Sequence, residues 1–242
     1  MVKEFMVYEF PLSEGVRRLL RAEMLFKQSK VHVEYDDPFS TIAALAALVD
    51  LVEIISKNNL KIEMIKQLEK LQFKEEVTEE QRIVIKELTQ NLVFGSVKTF
   101  DEIKENIFLN VIRQRLKVMG GIGSFDLPNL HHWLRFSHQL RSEHIERWFS
   151  LFEPTERALT YLLSVLRQMK DEEVCQFKQG LFYKTVKWDA ELVRIDVKDE
   201  LIYPEFSGNK QQLSIRLMEQ SSPFDPVVQV KKDLEMIVER CG

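Results

Sequence analysis

Apolar residues in this chain follow two periods, one after the other, and few folds accommodate both. Through about residue 173 they recur every three or four positions, the spacing of packed helices. From Phe177 onward the spacing falls to two. Val193, Ile195 and Val197 alternate with Arg194, Asp196 and Lys198; Leu213, Ile215 and Leu217 alternate with Ser214, Arg216 and Met218; Leu234, Met236 and Val238 alternate with Glu235, Ile237 and Glu239. Runs of this kind are strands with one buried face, joined here by turns such as Ser207-Gly208-Asn209. Helices followed by strands, rather than interleaved with them, point to an α+β chain. The expected layout is an N-terminal and central helical domain, 13–173, packed with an antiparallel β domain, 174–242. A short apolar stretch within 3–11, read as a strand from Phe5 to Phe10 and ended by Pro11, is expected to join that sheet.

Local signals place the helices. Ser13 and Glu14 open one that runs to about Lys30, apolar around most of its circumference and so expected to be buried on several sides. Glu23 lies on its apolar face and needs a cationic partner, expected to be an arginine from elsewhere. Tyr35 to Pro38 read as a loop and Ser40 to Ser56 as a helix, followed by a break at Lys57-Asn58-Asn59 and a helix over 61–74. Thr78 with Gln81 forms a capping box for a helix ending near Gly95, and Thr99 caps another that runs through Arg113 and Arg115. Pro128 suits the first turn of a helix to about Arg135, with Asp126 as its cap. Ser142 caps a further helix or breaks a longer one, and Pro154 opens the last.

Charge and motif spacing exclude several functions. With 34 basic and 38 acidic side chains the net charge is −4, and no field favours nucleic acid. The only cysteines, Cys175 and Cys241, read as free thiols in a reducing compartment. No apolar run resembles a signal peptide or approaches the roughly 20 residues that span a bilayer, so a cytoplasmic protein without a membrane partner is expected. Gly120-Gly121-Ile122-Gly123-Ser124 lacks the Gly-Lys-Ser/Thr ending of a phosphate loop, and Asp126 stands where a dinucleotide fingerprint needs its third glycine. His32, His131, His132, His138 and His144 contain no pair at i, i+4, so no metal site is expected. Ser124, Asp126 and His131 have the residue types of a hydrolase triad without a nucleophile elbow. The expectation is no catalytic residue and no cofactor. A small-molecule enzyme using the Gly120–His132 region is the alternative.

Basic residues offer a different reading. Arg17 and Arg21, four apart, share a helix face, whereas Arg113 and Arg115 point roughly 200° apart. One of that pair can turn inward, toward Glu23 for example, while the other faces solvent or a ligand. Arg194 and Arg216 occupy outward strand positions, and Lys210 follows a turn. If these cations converge they form a groove for a carboxylate-bearing peptide; otherwise they are solvated side chains and internal salt bridges.

Three segments, YEFPLSEGVRRLLRAEMLF (8–26), VIRQRLKVMGGIGSFDLPNLHHWL (111–134) and LIYPEFSGNKQQLSIRLM (201–218), together resemble the ZapD family of bacterial Z-ring-associated proteins. The carrying motifs are RQRL, GG-x-x-SFDLP-x-L-x-x-WL and YP-x-x-SG-x-K, in that order. The resemblance implies a non-enzymatic division factor, cytoplasmic and at mid-cell. It further implies a homodimer that binds the C-terminal tail of FtsZ and bundles its filaments. Arg21, His131 and Arg216 match basic positions of the binding surface the family is proposed to use. Lys210 lies in the matching turn, Lys57 sits where relatives carry a basic residue, and Arg115 lies in RQRL. Gly123, Ile107 and Gln212 depart from the family pattern, the last two by replacing basic residues, which makes the implied pocket less cationic.

Overall fold

The structure, a computed structural model, describes residues 6–57, 60–94, 102–185 and 189–242, with the Lys57 side chain excluded. The chain is α+β, as its two periods require, and divides into two compact units. One comprises Met1–Arg17 with Leu163–Gly242, the other Arg18–Leu162.

The named helices among the described residues are α1 (Glu14–Val33), α2 (Pro38–Lys57), α3 (Leu60–Gln72), α4 (Glu79–Phe94), α5 (Ile107–Arg115), α6 (Pro128–Trp133), α7 (His138–Ser150) and α8 (Glu153–Gln168). Ser13 Oγ accepts the Val16 N–H, capping α1 as its position suggests. The helix buries mainly one face, that of Leu19, Ala22, Phe26 and Ser29, and leaves Met24 and Val31 exposed rather than wrapped in core. Helix α2 starts two residues before the expected Ser40. Asp37 Oδ2 accepts the Ser40 N–H at 2.6 Å, and Pro38, with no N–H to lose, fills the first turn. By length and composition alone Pro38–Ser56 is apolar enough to cross a bilayer, contrary to the sequence expectation. Its Ala44, Leu45, Leu48 and Leu51 are fully buried within the helical unit, and a core helix passes the same test.

Both bonds of the Thr78 capping box form. Gln81 Oε1 accepts the Thr78 N–H at 3.0 Å, and Thr78 Oγ1 accepts the Gln81 N–H at 3.2 Å. Phe5, the Asn58-Asn59 break, Gly95 and the expected Thr99 cap lie outside the described residues. The helix expected to run unbroken to Arg115 is interrupted. Residues 102–105 form a helical turn, and Asn106 then starts α5 afresh, its Oδ1 accepting the Leu109 N–H at 3.0 Å. Ser137, not Ser142, caps α7 by accepting the Leu140 N–H; Ser142 lies inside the helix, its hydroxyl 3.5 Å from the Val33 carbonyl.

The other unit contains two antiparallel sheets rather than the single sheet expected. Strands β1 (Met6–Pro11), β4 (Leu192–Val197), β8 (Leu234–Cys241) and β2 (Lys170–Phe177) lie in the order β1-β4-β8-β2. Strands β3 (Leu181–Thr185), β6 (Gln212–Glu219) and β5 (Ile202–Gly208) form the second, with β7 (Val228–Gln229) on β6. The alternating residues do what their period demands. Val193, Ile195, Val197 and Val238 from one sheet share a core with Leu213, Ile215 and Leu217 from the other. Across the opposite face of the first sheet runs a row of charges in register, Glu9, Arg194 and Glu239. Arg194 lies 3.1 Å from Glu9 and 2.8 Å from Glu239.

Candidate partner-binding surface

The corner between α5 and α6 is built by its backbone. Gly120 sits at φ 69°, open to glycine at little cost. A Cβ at Gly121 would stand 2.5 Å from the Arg115 carbonyl oxygen, so the turn closes only without a side chain there. The chain then coils through Gly123, whose carbonyl accepts the Asp126 and Leu127 amides, and enters α6 at Pro128. Asp126 does not cap that helix. Leu127 holds the cap position without a side-chain bond, and Asp126 instead lies 3.2 Å from Arg115. His131 turns back onto the same loop, its Nε2 2.9 Å from the Ile122 carbonyl oxygen. Arg115 and His131 are thus brought to one corner, each already holding the glycine loop. Ser124, Asp126 and His131 form no catalytic relay, because the carboxylate and the imidazole are engaged elsewhere.

The remaining sequence-derived candidates divide between the units. Arg21 is exposed on α1, and Lys57 ends α2. Glu23, two residues after Arg21, is largely buried, with Lys27 one turn on at 3.5 Å. In the β unit Lys210 lies in the turn of the β5–β6 hairpin, where Asn209 Oδ1 accepts the Gln211 and Gln212 amides. Its Nζ lies 2.6 Å from the nearly buried carboxylate of Glu191. Arg216 is exposed at mid-strand in β6, between Leu181 of β3 and Glu205 of β5. Among the described residues Arg216 makes no ion pair. Gln212 lies on the same face of β6, and Ile107, 80% exposed, is the first residue of α5. Both are surface positions at which a basic residue would be solvated.

Two features of the helical unit escaped the sequence reading. Arg141 is buried on α7, donating to the Leu134 carbonyl and to Asp36, each at 2.7 Å. Phe108, Trp133, His144 and Trp148 form an aromatic cluster, in which Trp133 Nε1 donates to His144 Nδ1 at 3.0 Å. The SFDLP-x-L-x-x-WL motif places Trp133, but periodicity alone assigns it simply to the core. The thiols are chemically quiet: burial pushes both Cys175 and Cys241 up to about 11, far from the range of reactive cysteines.

Comparison with known proteins gives this geometry a context. The cell division protein ZapD of Enterobacter sp. (strain 638) is 28% identical over 224 residues, covering 88% of this chain and 90% of that protein. The family model for the cell division protein ZapD matches residues 20–216, a span that begins one residue before Arg21 and ends on Arg216. On that match, the chain belongs to the ZapD family of cell division proteins.

Proposed function

We propose that this protein is a non-enzymatic division factor that binds the C-terminal tail of FtsZ and, as a homodimer, cross-links FtsZ filaments at mid-cell in the cytoplasm. One observation carries the reading: the family match encloses all six candidate basic residues, Arg21, Lys57, Arg115, His131, Lys210 and Arg216. Each compact unit presents an exposed arginine, Arg21 in one and Arg216 in the other, and an exposed guanidinium suits a carboxylate-bearing peptide. Dimerisation supplies the second site that cross-linking requires, since a two-fold axis duplicates any surface. A tail displayed repeatedly along a filament also raises the effective concentration, so each contact can be weak.

Co-sedimentation tests the proposal. FtsZ filaments should pellet as bundles with this protein at speeds that leave single filaments in solution, and filaments lacking the FtsZ tail should not. Equal bundling of tailless filaments refutes tail binding.

A further inference from the structure

The helical unit also contains a cavity of about 460 Å³ beside its aromatic cluster, lined by Glu102, Asn106, Phe108, Trp133, His144, Arg147 and Trp148 among others. That volume lies within the range of small-ligand and side-chain pockets. The ring centroids of Phe108 and Trp133 are 5.5 Å apart, those of Phe108 and Trp148 6.0 Å, and those of Trp133 and Trp148 6.3 Å. Rings this close pack on one another as a continuous wall, leaving no gap in which a cation could be caged. The wall suits a flat or branched apolar group.

The polar lining narrows the ligand further. Asn106 spends its carbonyl oxygen on the Leu109 N–H, so its amide offers N–H donors. His144 Nδ1 accepts from Trp133, and in the neutral ring that this bond requires, Nε2 carries the hydrogen. Arg147 is exposed, and among the described residues its guanidinium makes no ion pair. Glu102 is the one carboxylate in the lining among the described residues. Three donor groups against one acceptor favour a ligand that brings acceptors, and a guanidinium favours a carboxylate most.

We infer that this cavity is the anchor site for a partner peptide presenting a bulky apolar or aromatic side chain next to a carboxylate. The inference rests on the peptide-binding reading above and adds the contact that supplies affinity. Exposed ion pairs contribute little each, whereas an aromatic pocket with an arginine at its edge has the composition of a binding hot spot.

Two of the three tryptophans line the cavity, so Trp188→Phe leaves an emission signal from Trp133 and Trp148 alone. In that background N-acetyl-phenylalanine, whose carboxylate adjoins a benzyl group, is titrated against its amide. Saturable emission changes are expected, with the acid about 3- to 5-fold tighter and the difference lost in Arg147→Gln. No change up to about 5 mM acid, or equal affinity for acid and amide, overturns the inference. A labelled FtsZ C-terminal peptide forms the second arm, read by anisotropy. Full-affinity binding to Arg147→Glu, with undisturbed tryptophan emission, overturns the anchor and leaves tail binding intact. A peptide that fails to bind while N-acetyl-phenylalanine still saturates overturns tail binding and supports the cavity's ligand class.

Discussion

Removing the Arg141 guanidinium separates two contacts that a contact map would score alike. Its side chain is 5% exposed, while that of its partner Asp36 is 72% exposed. A pair with so exposed a carboxylate contributes well under about 1 kcal/mol. The bond to the Leu134 carbonyl is different, because that oxygen closes the end of α6 and, once unpaired and buried, costs about 1–3 kcal/mol. Arg141→Met keeps the aliphatic stem and removes both bonds. It also relieves the buried Nε, which has no hydrogen-bond partner, and returns part of the cost of desolvating the charge. The net expectation is a loss of about 1–2 kcal/mol, against less than about 0.5 for Asp36→Asn. At roughly 2–4 °C per kcal/mol for a chain of this size, Arg141→Met should melt about 2–8 °C early and Asp36→Asn within about 2 °C of the parent. Helical ellipticity followed on heating reads both. High salt should erase the small Asp36 effect and leave the Arg141 effect in place. Equal destabilisation by the two variants would refute the reasoning, because it would make the ion pair, not the carbonyl, the dominant contact.

Three further outcomes follow from the same geometry. Gly121→Ala places a Cβ 2.5 Å from the Arg115 oxygen and 2.9 Å from Val118 Cβ, and should cost about 2 kcal/mol in urea unfolding. Gly123→Ala meets the exposed Phe125 ring as its nearest neighbour, which can swing away, and should cost about 0.5 kcal/mol or less. Arg216→Glu should weaken FtsZ bundling with stability changed by about 0.5 kcal/mol at most, whereas Lys210→Glu should unfold earlier by setting a like charge beside the nearly buried Glu191. Cys175 and Cys241 should resist iodoacetamide in the native protein and react once it is unfolded. Because folding raises both thiols from an ordinary 9.0 to about 11, the unfolded chain loses its protons first, and urea midpoints should fall as pH rises from about 9 to 11.

What the sequence disclosed depended on how local each interaction was. Period and capping signals act over a few residues, so the Thr78 box and the buried set Val193, Ile195 and Val197 were readable. The same signals say which face of a strand is buried but not which strands are neighbours. Two facing sheets therefore read as one, because a residue buried between sheets alternates just as one buried beneath helices does. Competing caps within a few residues also divide a pattern ambiguously. Asn106 interrupts what the apolar spacing joins, and Ser137 precedes the Ser142 that resembles a cap equally well. Arg141 was invisible for another reason. A helical pattern counts any arginine as solvated, and the carboxylate beside it lies 105 residues away in the chain. The cavity is likewise tertiary, since Phe108, Trp133 and Trp148 come from three different helices.

The candidate cations differ in what a partner would have to displace. Arg115 already faces Asp126, Lys210 faces Glu191, and His131 holds the Ile122 carbonyl. A tail carboxylate arriving at Arg115 exchanges one partly exposed pair for another, which changes the free energy little. At Lys210 the exchange is unfavourable, because it gives up a 2.6 Å contact with the nearly buried Glu191 carboxylate. Arg216 has no ion pair among the described residues, so a carboxylate there adds a contact instead of replacing one. On the proposed tail binding, charge would therefore serve register and encounter more than affinity, and affinity would fall to apolar contacts such as the Phe108–Trp133–Trp148 wall. For a cross-linker acting on a filament that disassembles, this division has a mechanical consequence. On the proposed role each tail contact would be weak enough to release locally, while neighbouring tails, held at high effective concentration along the same filament, would keep the bundle together.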